Sequence, residues 1–369
     1  MALANKDPQE LSDNLRRWLA AQLPEATAIS IDNLDVPSAS GMSNTTVLFT
    51  ASWSNGETSS TQELVARIAP DGPAIFKDSD LGKEAIVMKA LASIGQPVPT
   101  VRWVEEDSTA LGAPFLVMER ASGRVPADDP PFTATGWVLE LSDEQQLRLC
   151  TASLEALAAI HNADWKDLGL GFLAPPDGTD VFDAELAKWR EFYDWARGAE
   201  VNPTIEAGFA WLDAHRPDDR REPVLNWGDA RIGNMMFGDD LAVNAILDWE
   251  MVGLGHPDIE LAWWLFILRH HTEGIGLPVP SGFPTRDQVV AIYEKASGRT
   301  IDHLDYYEAW AGVRLAILMH RAGNLMIDLG FLPPDAPMRF NNPASQLLAK
   351  LIGAEPPIGS VQTFIGNRG

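Results

Sequence analysis

The alternation of apolar and polar positions predicts a β-rich unit in the first third of the chain. Five segments share the β-branched and aromatic content of strands: 28–36, 45–53, 62–69, 101–105 and 114–119. Asn55-Gly56 separates the second segment from the third, and this pair is typical of a hairpin turn. Segment 79–94 instead carries apolar residues at helical spacing, including Leu81 and Met88. We therefore expect five strands and one main helix.

Helical periodicity dominates the rest of the chain. A Gly-, Pro- and Asp-rich passage precedes it, and Ser142 with Gln145 forms a capping box for a helix through residue 161. Further helices are predicted over 181–197, 204–215, 258–271, 285–296, 304–326 and 343–352. A short β-rich insert spans 224–248. These changes predict a first domain at 1–118, a linker at 119–123 and a helical domain at 124–369.

Composition narrows the functional class. The 369 residues include 28 Lys and Arg against 52 Asp and Glu, a net charge of −24, which argues against nucleic-acid binding. Of these, 8 basic and 15 acidic residues lie in 1–118, so most of the excess falls in the second domain. A single cysteine, a polar N-terminus and no apolar run near the roughly 20 residues of a membrane helix predict a cytoplasmic protein without membrane contact.

The candidate chemistry lies in the β-rich insert. Asp229 and Asn234 stand in a D-x-x-x-x-N pattern, and a tight hairpin after them would fold Asp248 back beside Asn234. Two carboxylates and one amide oxygen would then converge, and such hard oxygen ligands suit Mg²⁺ held together with substrate phosphates. Phosphoryl transfer needs these parts, with Asp229 as the base and Asn234 and Asp248 as metal ligands. The alternative is that Asp229 and Asn234 only make turn and cap hydrogen bonds.

Three arginines and a histidine pair lie outside the ligand set and carry interpretations of their own. Arg231 would either offset charge on the transferring phosphoryl group or pair with a nearby acid such as Glu250. Arg314 and Arg321 share one helix face and would meet internal carboxylates or an anionic group of the substrate. The pair His270-His271 is interpreted as a solvated helix end.

The motifs Gly228-Asp229-x-Arg231-x-Gly233-Asn234 and 246–250 (Ile-Leu-Asp-Trp-Glu) resemble those of the aminoglycoside phosphotransferase and choline-kinase-like family. The resemblance covers about residues 40–325. It is similar in particular to the branch with the kinase domains fused to some acyl-CoA dehydrogenases. It implies an α+β, bilobal protein-kinase-like fold, with a small β-rich N-lobe around one main helix and a larger helical C-lobe. It also implies transfer of the ATP γ-phosphate to a hydroxyl.

Nucleotide-binding roles follow from the resemblance for part of the first domain. Gly41, Ser43 and Asn44 fall where the family has its phosphate-covering loop. Arg67 falls on the third strand, where the family usually has a phosphate-contacting Lys, and the Arg fork can also bind phosphate. The resemblance makes Glu84, early in the next helix, the partner of Arg67.

The resemblance also gives roles to residues near the linker, and the chain departs from the family pattern at two positions. The backbone of Glu119 and Ala121 would meet adenine, and the side chain of Met118 would back that pocket. The family usually has His two residues before the catalytic Asp, where this chain has Trp227. Glu260 would replace the Asp that braces the catalytic loop.

The sequence thus predicts an ATP- and Mg²⁺-dependent phosphotransferase with a small-molecule hydroxyl acceptor. An aminoglycoside, as a polycation, would suit the acidic second domain, whereas a hydroxyacyl-CoA, implied by the similar branch, would need the arginine face. Two other readings remain open, a catalytically impaired nucleotide-binding pseudokinase with Trp227 as its symptom and a metal-dependent hydrolase using Asp229 and Asp248. Oligomeric state is left open.

Overall fold

The computed structural model describes residues 7–37, 43–176 and 178–362, and the chain divides after Ala121 into two compact units. The division falls inside the segment 119–123, where the composition changes. None of the helices in these described ranges has the length and apolar character that crossing a bilayer requires.

The first unit is a five-stranded antiparallel sheet with two helices. Its elements are α1 (Pro8–Gln22), β1 (Thr27–Asp35), β2 (Thr45–Asn55), β3 (Thr58–Ile68), α2 (Leu81–Ser93), β4 (Val101–Glu105) and β5 (Phe115–Glu119). The strand order is β1-β2-β3-β5-β4. The predicted hairpin closes β2 on β3 with Gly56 at φ +62°, a left-handed conformation that glycine adopts without strain. Five strands and one main helix are confirmed, with α1 as an amphipathic addition.

Alternating burial explains why the sheet forms where the pattern predicts it. Val47, Phe49, Ala51 and Trp53 of β2 point to the buried face, and the residues that alternate with them are partly exposed. Helix α1 covers an edge of this core with Trp18, whose ring meets Phe115 edge-on at 4.9 Å. Such burial of large rings stabilises the unit through the apolar area it removes from water.

The second unit is mainly helical and contains two short pairs of strands in its described residues. Its helices are α3 (Asp143–His161), α4 (Val181–Arg197), α5 (Pro203–Ala214), α6 (Pro257–His270), α7 (Arg286–Ser297), α8 (Leu304–Asp328) and α9 (Pro343–Ile352). Its strands are β6 (Val224–Asn226), β7 (Met235–Phe237), β8 (Val243–Ile246) and β9 (Gly253–Gly255), which pair as β6-β9 and β7-β8. The predicted capping box of α3 forms, with Ser142 N donating to Gln145 Oε1 at 3.0 Å.

Helix α6 lies in the core of this unit. Nearly all of its residues are buried, which explains a sequence that is apolar on every side instead of on one stripe. Strand β9 was not predicted, because Gly-Leu-Gly has little intrinsic strand preference and forms a strand here only by pairing with β6. The consequence for the site is that the loop after β6 is held between a short sheet and the start of α6.

Candidate active site

The loop between β6 and β7 carries Asp229 and depends on glycine for its shape. Gly228 has φ +103°, and a Cβ there would lie 2.4 Å from the carbonyl oxygen of Met251. Only glycine therefore fits at this position, and the Gly-Asp pair of the motif has a steric reason. After the loop, a 3-10 turn over Ile232–Asn234 leads into β7.

Three donors hold the Asp229 carboxylate. Oδ2 accepts from Arg231 Nε at 2.9 Å and from Asn234 Nδ2 at 2.7 Å, while Oδ1 accepts from Trp263 Nε1 at 2.7 Å. Burial by itself would raise the pKa of Asp229, but the charge of Arg231 and these hydrogen bonds outweigh burial and hold the pKa below its ordinary value. Asp229 is therefore ionised at neutral pH and fixed in one orientation.

Arg231 is paired on both sides. Its Nε contacts Asp229, and its Nη1 forms a close ion pair with Asp128, a residue that the sequence pattern did not single out. A Cβ on Gly233 would lie 2.6 Å from Arg231 Nη1 and 2.6 Å from Asp128 Oδ1, so the second glycine of the motif makes room for this pair. Of the two interpretations of Arg231, the ion pair is present, with Asp128 and Asp229 as the acids.

The predicted hairpin is confirmed and brings Asp248 back to the loop. Met235 pairs with Ile246, and Leu247 N donates to the carbonyl of Asn234 at 2.8 Å, so Asp248 follows directly on a residue bonded to Asn234. Asp248 adopts φ +60°, a left-handed conformation that costs a non-glycine residue roughly 1–3 kcal/mol and recurs at functional sites. The backbone around Asp248 must therefore be held by its neighbours.

Trp227 supplies part of that restraint. Its indole Nε1 donates to the carbonyls of Leu247 at 2.8 Å and Asp248 at 2.9 Å, and its ring is fully buried. The indole thus ties the Asp248 segment to the loop between β6 and β7. Trp227, which stands where the family usually has His, therefore still provides a hydrogen-bond donor at this position.

The donor set of Asn234 and Asp248 fits Mg²⁺. The Asn234 amide nitrogen donates to Asp229, so the amide oxygen is the atom of this side chain that would bind a metal ion, and Asp248 would add a carboxylate. One carboxylate and one amide oxygen are the kind of partial set that Mg²⁺ completes with phosphates and water. Over the described ranges, no group of three or more His, Cys, Asp or Glu side chains is arranged to hold a metal without such help.

Glu260 joins the loop between β6 and β7 to the start of α6. Its carboxylate accepts from Trp227 N at 2.7 Å, from Gly228 N and from His161 Nε2 at 3.0 Å. Tyr293 Oη lies 2.6 Å from the other ring nitrogen of His161, so a buried chain runs from α7 to the loop. The bracing contact expected of Glu260 is present. His161 and Tyr293 gave no sequence signal, since each follows the apolar pattern of its own helix.

Arg314 lies behind the loop instead of on an open substrate face. The side chain is 2% exposed, and its guanidinium packs against the rings of Trp189 at 5.0 Å and Trp263 at 4.5 Å. Nη2 donates to the carbonyl of Gly228 at 3.0 Å. Burial lowers the pKa of Arg314, and the Glu185 carboxylate opposes that shift. Arg321, one of the two residues on the predicted arginine face, packs over the ring of Trp195.

The first unit contains the residues carried over for nucleotide binding. Arg67 Nε lies 3.6 Å from Glu84 Oε2, and Glu84 is 2% exposed. Asn44 is buried and accepts from Ser79 Oγ at 3.0 Å, next to Ser43 at the start of the described segment. Gly41 lies outside the described residues.

The predicted adenine contacts lie at the end of β5. Met118 pairs with Val65 of β3 in the sheet register, and the Glu119 side chain forms an ion pair with Arg102. Ala121 is the last residue of the first unit.

The interpretation of His270-His271 as a solvated helix end is wrong. Both side chains are buried, at 5% and 7% exposure. Burial lowers the pKa of His270 to about 3 and that of His271 to about 4, so both rings are neutral near pH 7. The helix ends against the chain that precedes α3, where Thr133 Oγ1 donates to the carbonyl of His271.

Comparison with known proteins links this geometry to enzymes that transfer phosphate. Residues 36–309 match the sequence model of the Phosphotransferase enzyme family. Acyl-CoA dehydrogenase family member 10 of Mus musculus is 28% identical over 270 residues, covering 70% of this chain and 24% of that protein. Acyl-CoA dehydrogenase family member 11 of Homo sapiens is 30% identical over 247 residues, covering 64% of this chain and 30% of that protein. The chain thus spans about a quarter to a third of the length of these relatives.

Solved structures agree on the fold. A structure from Ralstonia eutropha assigned to the aminoglycoside phosphotransferases has a TM-score of 0.67 at 23% identity and covers 92% of this chain and 98% of that chain. Aminoglycoside phosphotransferase APH(4)-Ia, in a ternary complex with AMP-PNP and hygromycin B, has a TM-score of 0.53 at 16% identity, with 92% and 98% covered. The predicted α+β kinase-like fold is confirmed.

Proposed function

Because the chain belongs to the phosphotransferase enzyme family, we propose that it transfers the γ-phosphate of ATP, in the presence of Mg²⁺, to a hydroxyl group of a small molecule. The observation that carries this proposal is the convergence of Asp229, Asn234 and the Asp248 segment through the β7-β8 hairpin. An ionised base beside a set of metal-binding oxygens is what phosphoryl transfer asks of a protein. The AMP-PNP complex of APH(4)-Ia supports a nucleotide as the donor.

Each residue of the loop has a role in this proposal. Asp229 orients the acceptor hydroxyl and takes its proton as the acceptor oxygen bonds to the γ-phosphorus. The bond from that phosphorus to the bridging oxygen of ADP breaks in line with the attack. Arg231 holds the base through its ion pair with Asp229, and from that place its guanidinium would also offset negative charge on the transferred group. Mg²⁺, held by Asn234 and Asp248, would neutralise charge on the nucleotide phosphates.

Residues of the first unit are proposed to hold the nucleotide. Arg67 would contact phosphate with its guanidinium oriented by Glu84, and the 3.6 Å pair between them supports this role. Gly41, Ser43 and Asn44 would cover the phosphates. The linker residues Met118, Glu119 and Ala121 would contact adenine. The domain roles follow, with 1–118 covering the nucleotide and 124–369 carrying the catalytic loop and the acceptor site.

For the acceptor we propose a hydroxyacyl-CoA ahead of an aminoglycoside. The relatives that share 28–30% identity with this chain are named acyl-CoA dehydrogenase family members, whereas the aminoglycoside enzymes share its fold at 16–23% identity. The contact of Arg314 with Gly228 makes that side chain part of the loop's support. A hydroxyacyl-CoA would therefore have its phosphates bound by other groups.

The test is ADP release, coupled to a spectrophotometric readout, with Mg-ATP and a panel of hydroxyacyl-CoAs, aminoglycosides and amino alcohols. Asp229→Ala should lose acceptor-dependent turnover by about 100- to 10,000-fold. Asp239→Ala, an exposed acid in the turn of the same hairpin, is the matched control and should keep it. Turnover that survives Asp229→Ala would contradict the proposal.

Two experimental outcomes would favour a different function for this protein. A thermal shift with nucleotide but no ADP release on any acceptor would indicate a nucleotide-binding pseudokinase. Phosphate release from a monoester without nucleotide would indicate a metal-dependent hydrolase.

A further inference from the structure

The indole of Trp263 contacts the candidate base directly. Trp263 lies in α6 and is 1% exposed, and its Nε1 is 2.7 Å from Asp229 Oδ1. The next residue, Trp264, is buried to a similar degree, but its Nε1 donates to Ser153 Oγ at 3.2 Å, away from the loop. Consecutive indoles of one helix therefore serve different partners.

The two oxygens of Asp229 differ in the number of hydrogen bonds that they accept. A carboxylate oxygen has about two acceptor positions. Oδ2 already accepts from Arg231 and Asn234, whereas Trp263 is the one donor to Oδ1 among the residues that the structure describes. Oδ1 therefore keeps a lone pair to which a hydroxyl can donate.

The Trp263 ring is itself held in place. The Arg314 guanidinium lies 4.5 Å from the centre of that ring and also donates to the carbonyl of Gly228, the residue before the base. Cation–π contact and this hydrogen bond link ring and loop as one buried assembly. A shift of the indole would therefore move Oδ1, the oxygen with the open lone pair.

We propose that Trp263 is a positioning residue, which holds the Asp229 carboxylate so that Oδ1 receives the proton of the acceptor hydroxyl. The inference rests on the proposed function and adds to it the reacting oxygen and the residue that orients it. The proton passes from the hydroxyl to Oδ1 as the acceptor oxygen bonds to the γ-phosphorus, and the pair of electrons of the broken bond stays on ADP.

The test compares Trp263→Phe with Trp264→Phe in the full chain. Both substitutions remove an indole N–H from the same buried helix, so both should lower Tm. Trp263→Phe should reduce kcat by roughly 10- to 100-fold, since it removes a hydrogen bond to a charged group, and should leave KM for Mg-ATP and for the acceptor within about twofold. Trp264→Phe should keep kcat within about threefold.

A second variant separates the hydrogen bond from packing. Benzothienylalanine at position 263, introduced by genetic code expansion, keeps the bicyclic shape and replaces N–H by sulfur. It should reproduce the fall in kcat with little change in Tm. A kcat within threefold of wild type for this variant, with Asp229→Ala inactive, would overturn the role of Trp263 and leave the phosphotransferase proposal intact.

The remaining outcomes are also decisive. A raised KM at unchanged kcat would assign Trp263 to binding and overturn positioning. Absence of acceptor-dependent turnover by the wild-type protein across the panel would overturn the phosphotransferase proposal and this inference with it.

Discussion

Replacing Glu260 by Gln should destabilise both the fold and the proposed catalytic loop, because this carboxylate is fully buried and accepts three hydrogen bonds. Oε2 accepts from Trp227 N and His161 Nε2, and Oε1 accepts from Gly228 N. A glutamine has one oxygen and one amino group, and the amino group cannot accept. With its oxygen in the place of Oε2, the amino group would face the N–H of Gly228.

The magnitude follows from two buried donors that lose an acceptor, the Gly228 N–H and the new amide N–H. Each such group costs about 1–3 kcal/mol, so we expect a loss of about 2–6 kcal/mol in the free energy of unfolding. The loop that Gly228 begins would lose its anchor. We therefore also expect kcat to fall by roughly 10-fold or more, as for other displacements of a reacting group.

Urea denaturation at pH 7 and steady-state kinetics measure the two effects. Glu308→Gln is the matched control, because Glu308 is 5% exposed and accepts from Arg286 Nε at 2.6 Å, a residue outside the loop. It should lose stability and keep kcat. A loss below about 1 kcal/mol for Glu260→Gln, with kcat within twofold of wild type, would refute the bracing role.

Three other substitutions test further parts of the second unit. Gly233→Ala should lower kcat by about 10-fold with a modest loss of Tm, because a Cβ would lie 2.6 Å from both Arg231 and Asp128 and separate the pair. Unchanged steady-state kinetics would contradict this prediction. Trp227→Phe removes the donor to the Asp248 backbone and should raise the Mg²⁺ concentration for half-maximal activity several-fold, which Trp227→His should partly restore. His270 should contribute a loss of up to about 1.4 kcal/mol of stability per pH unit as pH drops below about 6.5, because its pKa is about 3 in the folded state and the unfolded chain takes up the proton first. His271, with a pKa of about 4, adds to this slope, so His270→Phe should reduce the slope in pH-dependent denaturation without abolishing it.

Local patterns in the sequence were enough for the fold class and the hairpin that joins Asp248 to Asn234. Periodicity of apolar residues identifies strands and helices because each element buries one face, and the Asn55-Gly56 turn and the Ser142 capping box act within a few residues. The motif around Asp229 predicts chemistry for the same reason, since its members lie in one loop. Within this motif, the steric need for glycine at 228 and 233 became clear only from the structure.

The supports of the base, in contrast, come from far along the chain. Trp263 contacts Asp229 across 34 positions, Arg314 contacts Gly228 across 86, and His161 contacts Glu260 across 99. A tryptophan, arginine or histidine on an apolar helix has the same sequence signature whether it packs in the core or orients a reacting group. The misjudged burial of His270 and His271 has the same origin, as does the missed strand β9. The sequence by itself determined the longer helices and strands and the loop that holds the acidic residues, because those depend on neighbours in the chain. Tertiary packing decided which buried side chains reach that loop, because hydrogen bonds between distant helices exist only once the helices are assembled.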